Sequence, residues 1–203
     1  MQATKSLTAM ADVVRKVKLE GIVPLMFDRY AGDNDTKLLW WQKIYLIPDT
    51  SQMAIPTANI VSFLSSHNTN SAPKRLRDKR KYKDIANACL SFVIPIGPDN
   101  HPDMIPILRD GKKIETGDIG NEKDEKSGLW LHRSVARLDK GIPNPKERPV
   151  LPLPWSIEFK IMFLRNKEIK ETEVRNLVEE GGLAIGLGTY RGVFGKFRIA
   201  KWK

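Results

Sequence analysis

The sequence predicts an α+β fold, a split βαβ frame whose two halves are separated by a central insertion. Three observations predict it. Residues 155–164, WSIEFKIMFL, alternate strictly, with Trp155, Ile157, Phe159, Ile161 and Phe163 against Ser156, Glu158 and Lys160; this is the period of a half-buried strand. Two segments, 57–66 and EVRNLVEEGGLAI at 173–185, repeat apolar residues at helical spacing. A glycine-rich stretch, GLGTYRGVFG, then leads into a final strand, KFRIAKW. The end of the chain therefore reads strand, helix, glycine-rich loop, strand. Its beginning reads strand, loop, strand or turn, helix. A single domain over residues 1–203 follows, with the insertion at roughly 70–128.

Each element has its own signal. Residues 12–20 alternate apolar and charged side chains over Val14, Val17 and Leu19, and Gly21 and Pro24 break the strand. Residues 31–36, AGDNDT, form a turn-rich loop. The apolar, aromatic segment 38–47 suits a strand or a short buried helix. Pro56 fits a first helical turn, and Ile60, Phe63 and Leu64 continue the helix. Ile85, Ala88, Cys89 and Phe92 make a second helical stripe, ended by Pro95. Residues 103–116 read as a hairpin around Asp110-Gly111. The polar, acid-leaning run 115–126, ETGDIGNEKDEK, reads as a flexible loop. Leu129, Leu131, Arg133, Val135 and Arg137 share one face of a strand over 129–138, and the Pro-rich stretch 142–154 keeps the chain extended. In the last helix Val174, Leu177 and Val178 point inward, and the Gly181-Gly182 pair is its expected stop.

Composition narrows the function. The 203 residues hold 34 Lys plus Arg against 24 Asp plus Glu, a formal net charge of +10. Such an excess favours a polyanionic partner, most often nucleic acid. No run reaches the roughly 18–20 apolar residues of a membrane span. No apolar signal-peptide region opens the chain, and Cys89 is its only cysteine, which excludes an internal disulfide framework. A soluble protein of the cytoplasm is expected, with no membrane partner, no metal site and no cofactor.

Charge position says more than the total. Residues 74–83 carry Lys74, Arg75, Arg77, Lys79, Arg80, Lys81 and Lys83 against Asp78 alone. Like charges packed this closely repel one another unless an anion relieves them. The stretch 131–148 adds Arg133 and Arg137, and 190–203 adds Arg191, Lys196 and Arg198. Around the last of these, Gly188, Gly192 and Gly195 let the backbone approach a ligand and expose N–H groups to an anion. Arg191 supplies a bidentate phosphate donor, while Tyr190, Phe194 and Tyr82 can stack on bases. The loop follows a helix and precedes a strand, the reverse of a dinucleotide-binding fingerprint.

The ending GLGTYRGVFGKFRI resembles the carboxy-terminal glycine-rich loop of the RAMP superfamily, the ferredoxin-like RNA-binding proteins of CRISPR systems. The front half agrees in order: AGDNDT, an apolar segment, then MAIPTANIVSFLSS resemble the Asp-containing loop and Ile-Pro turn into the first helix of the backbone subunits. VPLMFDRY and LHRSVARLDKGIPNPKERPVLPLPWSIEFKIMFL look like segments of small phage-borne relatives. The resemblance implies a ferredoxin-like or RNA-recognition-motif-like sheet. It also implies contact with single-stranded RNA, or ssDNA as the lesser choice, through the glycine-rich loop and the basic surface at 74–83. Assembly along the strand into a filament, or with CRISPR-type proteins, goes with it. At 203 residues the chain is short for a backbone subunit, so a stand-alone phage or mobile-element protein is an equal reading.

Two other functions compete. Some RAMP proteins cleave RNA, and the candidates here are His67 as acid or base, and Asp33 and Asp35 as Mg²⁺ ligands with Asp28 nearby. His101 and His132 are the other candidate histidines. The other competitor is a phage structural or anti-defence protein that binds a host protein.

Overall fold

The computed structural model describes residues 11–33, 35–67, 70–98, 100–117, 119, 122–137 and 143–203, without the side chains of Ala11, Ala136 and Arg137. Strand β1 (Ala11–Gly21) is central. It pairs antiparallel with β9 (Ser156–Leu164) on one side and β10 (Phe197–Trp202) on the other. The far edge of β9 is shared by β4 (Val93–Ile96), opposite Phe163 to Lys160, and β5 (Met104–Arg109), opposite Ile157 and Ser156. β3 (Ala54–Pro56) and the two-residue β6 (Lys112–Lys113) complete a seven-stranded sheet. The order β10-β1-β9-β4/β5, with helices between the first and second and the third and fourth of the main strands, is the ferredoxin-like α+β arrangement.

Period two along β1 and β9 decides which face is buried. Val17 and Leu19 stand opposite Phe159 and Ile157, and all four are buried. Over them lie α1 (Thr57–Ser65), α2 (Ala72–Leu76), α3 (Tyr82–Phe92) and α4 (Glu171–Ala184), through Ile60, Phe63, Ala88, Cys89, Val174 and Leu177. The helix-free face carries Lys16, Lys18, Glu20, Glu158, Arg198 and Lys201 instead. An RNA-recognition motif stacks bases on aromatic side chains of its open sheet face. Here Phe159, Phe163 and Phe197 face the helices, so the sheet is not a platform of that kind.

Four sequence expectations are corrected or sharpened. Of the two readings for 38–47, the short helix holds, but only over the four residues Trp40–Lys43 and in 3₁₀ form, with Trp40 buried. Gly181 and Gly182 do not stop α4, which continues to Ala184. A Cβ at Gly181 would lie 2.5 Å from the Phe63 ring, and one at Gly182 would lie 2.6 Å from the Phe197 carbonyl oxygen. These glycines let the helix press against α1 and β10. The Pro-rich stretch is extended as expected, and is also a paired strand, β8 (Pro143–Leu151), forming a second sheet with β7 (Trp130–Arg137) and β2 (Leu25–Met26). Pro143, Pro145 and Pro149 fall at alternate positions. The Pro149 carbonyl accepts from Phe27 N–H and the Glu147 carbonyl from Lys43 Nζ, so this parity faces away from β7. The missing proline donors therefore lie on the edge that β7 does not use.

The fourth change is in the acid-leaning run. Buried Asp124 accepts from the Gly117, Lys126 and Ser127 backbone N–H groups and from the Ser127 hydroxyl, which fastens the described ends of that loop. Burial opposes ionisation of Asp124, but those donors outweigh it and hold the carboxyl below its ordinary value. The hairpin at 103–116 turns as expected at Asp110 and Gly111, both left-handed with φ of 51° and 77°. Among the described residues no helix is long and apolar enough to cross a membrane.

Candidate nucleic-acid interface

The glycine-rich loop joins the end of α4 to β10 and is built mainly from internal bonds. Leu187 N–H donates to the Gly195 carbonyl, Thr189 N–H to Met26, Gly192 N–H to Ile185, and Gly195 N–H to Pro24, at 2.6–3.0 Å. Val193 and Phe194 N–H groups both donate to the Tyr190 carbonyl. Most of its amides are thus already paired, which corrects the expectation that they present an anion nest. Two glycines have a structural reason. Gly188 has φ of 75° and a Cβ there would sit 2.4 Å from the Met26 carbonyl oxygen, and Gly195 has φ of 72° and would meet the Leu187 carbonyl oxygen at 2.0 Å. Gly192 has open space where a Cβ would stand, so only its φ of 91° favours glycine there.

Arg191 also has internal partners. Its Nε donates to the Gly188 carbonyl at 3.2 Å and its Nη1 to the Asn70 carbonyl at 3.0 Å. Burial lowers its pKa from the ordinary value, without removing the charge of a guanidinium. Arg191 therefore fastens the loop to the α1–α2 connection, a role the sequence did not predict.

That connection leads into the basic run. Arg75, Lys79, Arg80, Lys81 and Lys83 are exposed, and none makes an ion pair among the described residues. Arg77 differs: its guanidinium binds Glu173 at 2.7 Å and Glu180 at 2.9 Å, docking the run on α4. Lys74 donates to the His67 carbonyl at 2.8 Å and lies 5.7 Å from the Tyr82 ring centroid. His67 stands edge-on to Tyr82 and meets Asn87 Oδ1 at 3.1 Å through Nε2, a partner the sequence could not assign.

On its other side the loop meets β7. Phe194 lies 5.5 Å from the His132 ring, His132 lies 5.8 Å from Trp130, and Tyr190 lies 5.9 Å from Phe194. The sequence reading missed Trp130 and named His132 only as a candidate acid or base, because it followed the Leu131–Arg133–Val135 face, and period two puts these two on the opposite face. Arg133 is paired with Glu122 and with Glu147 (3.1 Å for the second). The Arg137 side chain lies outside the described residues. Lys196 is half-buried, and Arg198 turns to the helix-free sheet face, where it binds Glu20 at 3.0 Å.

A trough runs from the loop. A pocket of about 150 Å³ between Gly188, Thr189, Tyr45 and Asn59 shares Asp28 with a cleft of about 770 Å³ lined by Arg29, Lys37, Lys43 and Lys146 and by the carboxylates Asp33 and Glu147. Arg29 and Leu38 also line a further cleft of about 850 Å³ beside Trp41. Asp28 is neutralised there by Arg148 at 2.7 Å and Lys43 at 3.5 Å. Asp33 uses both carboxylate oxygens on its own turn, accepting from the Asp35 and Thr36 N–H groups and the Thr36 hydroxyl. The Thr36 backbone bond, first among these, lowers its pKa. Asp33 therefore reads as a turn residue, with Asp35 exposed beside it. No group of three or more His, Cys, Asp or Glu side chains converges among the described residues.

No known protein family matches the sequence, and no curated protein matches it. A solved structure does: a chain of the Type III-B Cmr-beta assembly bound to cognate target RNA, determined by cryo-electron microscopy. The TM-score is 0.56 at 11% identity, over 100% of this chain and 63% of that one. What the two share is the fold. This chain spans under two thirds of its neighbour's length.

Proposed function

We propose that the protein is a RAMP-type, CRISPR-related binding module that holds single-stranded RNA by its phosphate backbone and catalyses no reaction. The observation that carries this is the convergence at the glycine-rich loop, where Arg191 touches Asn70 ahead of the basic run and Phe194 touches His132 within the 131–148 stretch. Two of the three basic stretches thus adjoin a third across one loop. Phosphate binding falls to the exposed Arg75, Arg80, Lys81 and Lys83 and to Lys37 and Lys146 of the trough, since most loop amides are engaged and Lys43 is paired with Asp28. Repetition of such modules along one strand, by contacts between copies, belongs to the same reading.

The single-domain organisation is part of the proposal. One buried cluster contains Val17, Phe63, Ala72, Cys89, Ile161 and Leu177. It includes residues from the stretch 70–96, which the sequence assigned to an insertion.

Binding of a labelled unstructured RNA, titrated with salt, tests the function. Affinity falling linearly in log–log form with salt is expected, with ssDNA as the comparison. No binding at low salt overturns it. The His67–Asn87 contact favours one second reading, RNA cleavage by His67. Intact RNA after long incubation with and without Mg²⁺ removes that reading. Cleavage abolished by His67→Ala would replace the binding module with an enzyme.

A further inference from the structure

Trp130, His132, Phe194 and Tyr190 form a continuous row that joins β7 to the glycine-rich loop, with ring centroids 5.5–5.9 Å apart. We infer that this row is a base-stacking subsite that takes consecutive unpaired bases of a single-stranded RNA. The inference rests on the binding function proposed above and adds where the bases, as distinct from the phosphates, are held.

The four rings are not core residues. The core aromatics include Trp155, Phe63, Phe159, Phe163 and Phe197, all buried. None of the row belongs to that cluster. Tyr190 is 52% exposed, and the other three are half-buried. Folding therefore gains less from these large side chains than from aromatics placed inside.

Their arrangement suits a planar ligand. His132 meets Trp130 at an interplanar angle of 76° and Phe194 at 65°. Edge-to-face packing fixes each ring through its neighbour without covering ring faces by parallel stacking. Tyr190 is held at φ of 50°, an uncommon conformation for a tyrosine, while its carbonyl accepts from both Val193 and Phe194. The turn thereby places the Tyr190 and Phe194 rings together, tilted by 40°.

The rims are polar and unpaired. Among the described residues no hydrogen bond reaches Trp130 Nε1, the His132 ring nitrogens or the Tyr190 hydroxyl. A base offers π-faces to the rings and donors and acceptors to these rims; an aliphatic peptide side chain offers neither. On the same face of the hairpin Arg148 stands opposite His132 and Lys146 opposite Ser134. The row thus continues toward the cleft of mixed charge that Lys146 lines.

The test uses the full chain and two labelled probes of equal length, an oligouridylate and the corresponding abasic ribose-phosphate oligomer. The wild type is expected to bind the first about tenfold more tightly, the scale of one or more stacked bases. Tyr190→Asn keeps a residue that tolerates the left-handed backbone. Phe194→Leu and Trp130→Leu keep apolar volume and remove the π-face. Each is expected to lose most of the preference for the base-bearing probe while still binding the abasic one like the wild type. Equal wild-type affinity for both probes, or variants that weaken both alike, would overturn the stacking subsite and leave backbone binding standing. Failure to bind either probe would overturn both proposals.

Discussion

The Arg191 guanidinium donates to the Asn70 carbonyl at 3.0 Å, across 121 residues of sequence. Through its Nε the same side chain holds the Gly188 carbonyl of its own loop. One half-buried cation therefore sets both the shape of the glycine-rich loop and its distance from the basic run. Charge-assisted bonds of this kind are worth about 1.5–3 kcal/mol each when removal leaves acceptors unpaired.

Arg191→Lys is expected to behave nearly as badly as Arg191→Ala, because one ammonium cannot reproduce the fork that spans the two carbonyls. Each should lower stability by about 2 kcal/mol, read from urea unfolding. Rescue of stability by lysine would show that Arg191 acts as a simple charge.

The basic run separates into two kinds of arginine. The triple variant Arg75→Gln, Arg80→Gln, Lys81→Gln should leave stability unchanged and reduce the slope of log affinity against log salt by about 2, at roughly 0.7 per phosphate contact for single strands. Arg77→Gln should instead destabilise the fold, because it leaves Glu173 and Glu180 without their cation. An unchanged salt slope in the triple variant would remove these residues from the binding surface.

Gly181 and Gly182 differ in what surrounds them. Alanine would raise helix propensity at either by about 1 kcal/mol. At Gly182 the new methyl meets the Phe197 backbone carbonyl at 2.6 Å, which cannot move without moving β10. At Gly181 it meets the tip of the Phe63 ring. Gly182→Ala is expected to destabilise by about 2–3 kcal/mol and Gly181→Ala by less, measured by thermal unfolding. The reverse order would mean that α4 shifts more readily than the Phe63 ring.

Glu171 ties three elements together. Its carboxylate accepts from Arg15 at 2.6 and 2.9 Å and from Trp202 Nε1 at 2.8 Å, linking α4 to β1 and β10. The Arg15 bond, before all other causes, holds its pKa below the ordinary value. The stability it contributes is complete above the unfolded value of about 4.3 and is lost as pH falls through the lower folded value. Unfolding free energy should therefore drop below about pH 4.3, and Glu171→Gln should flatten part of that drop. An identical acid limb in the variant would assign the loss to other carboxylates.

Cys89 offers a probe of opening. Burial pushes its thiol up to about 12, so almost no thiolate forms near neutrality. A thiol reagent at pH 8 is expected to label the native protein slowly and the urea-unfolded protein at once. Fast native labelling would show that α3 opens locally.

Local chemistry carried much of the fold. The alternation of 155–164 set β9 and its buried face, and the spacing of Ile60, Phe63 and Leu64 set α1. Asp110-Gly111 set its hairpin, because positive φ at both positions is a property of those residues. Where one segment's role depends on another, the sequence misled. Gly181-Gly182 reads as a helix stop until Phe63 and Phe197 are seen against it. Pro143, Pro145 and Pro149 read only as an extended stretch until β7 and β2 show that it is a paired strand and which edge lacks the donors.

The site divides in the same way. Composition and charge spacing by themselves determined a basic protein with three cationic stretches and a glycine-rich loop. Those are properties of short windows of chain. Tertiary structure alone decided that the loop amides are mostly paired, that Arg191 acts first as a clasp, and that Arg198 faces the other side of the sheet. It also decided that Trp130 and His132 join Phe194 and Tyr190. The physical reason is that hydrogen-bond satisfaction and ring contact depend on partners far away in sequence: Asn70 lies 121 residues from Arg191, and only packing brings such partners within reach.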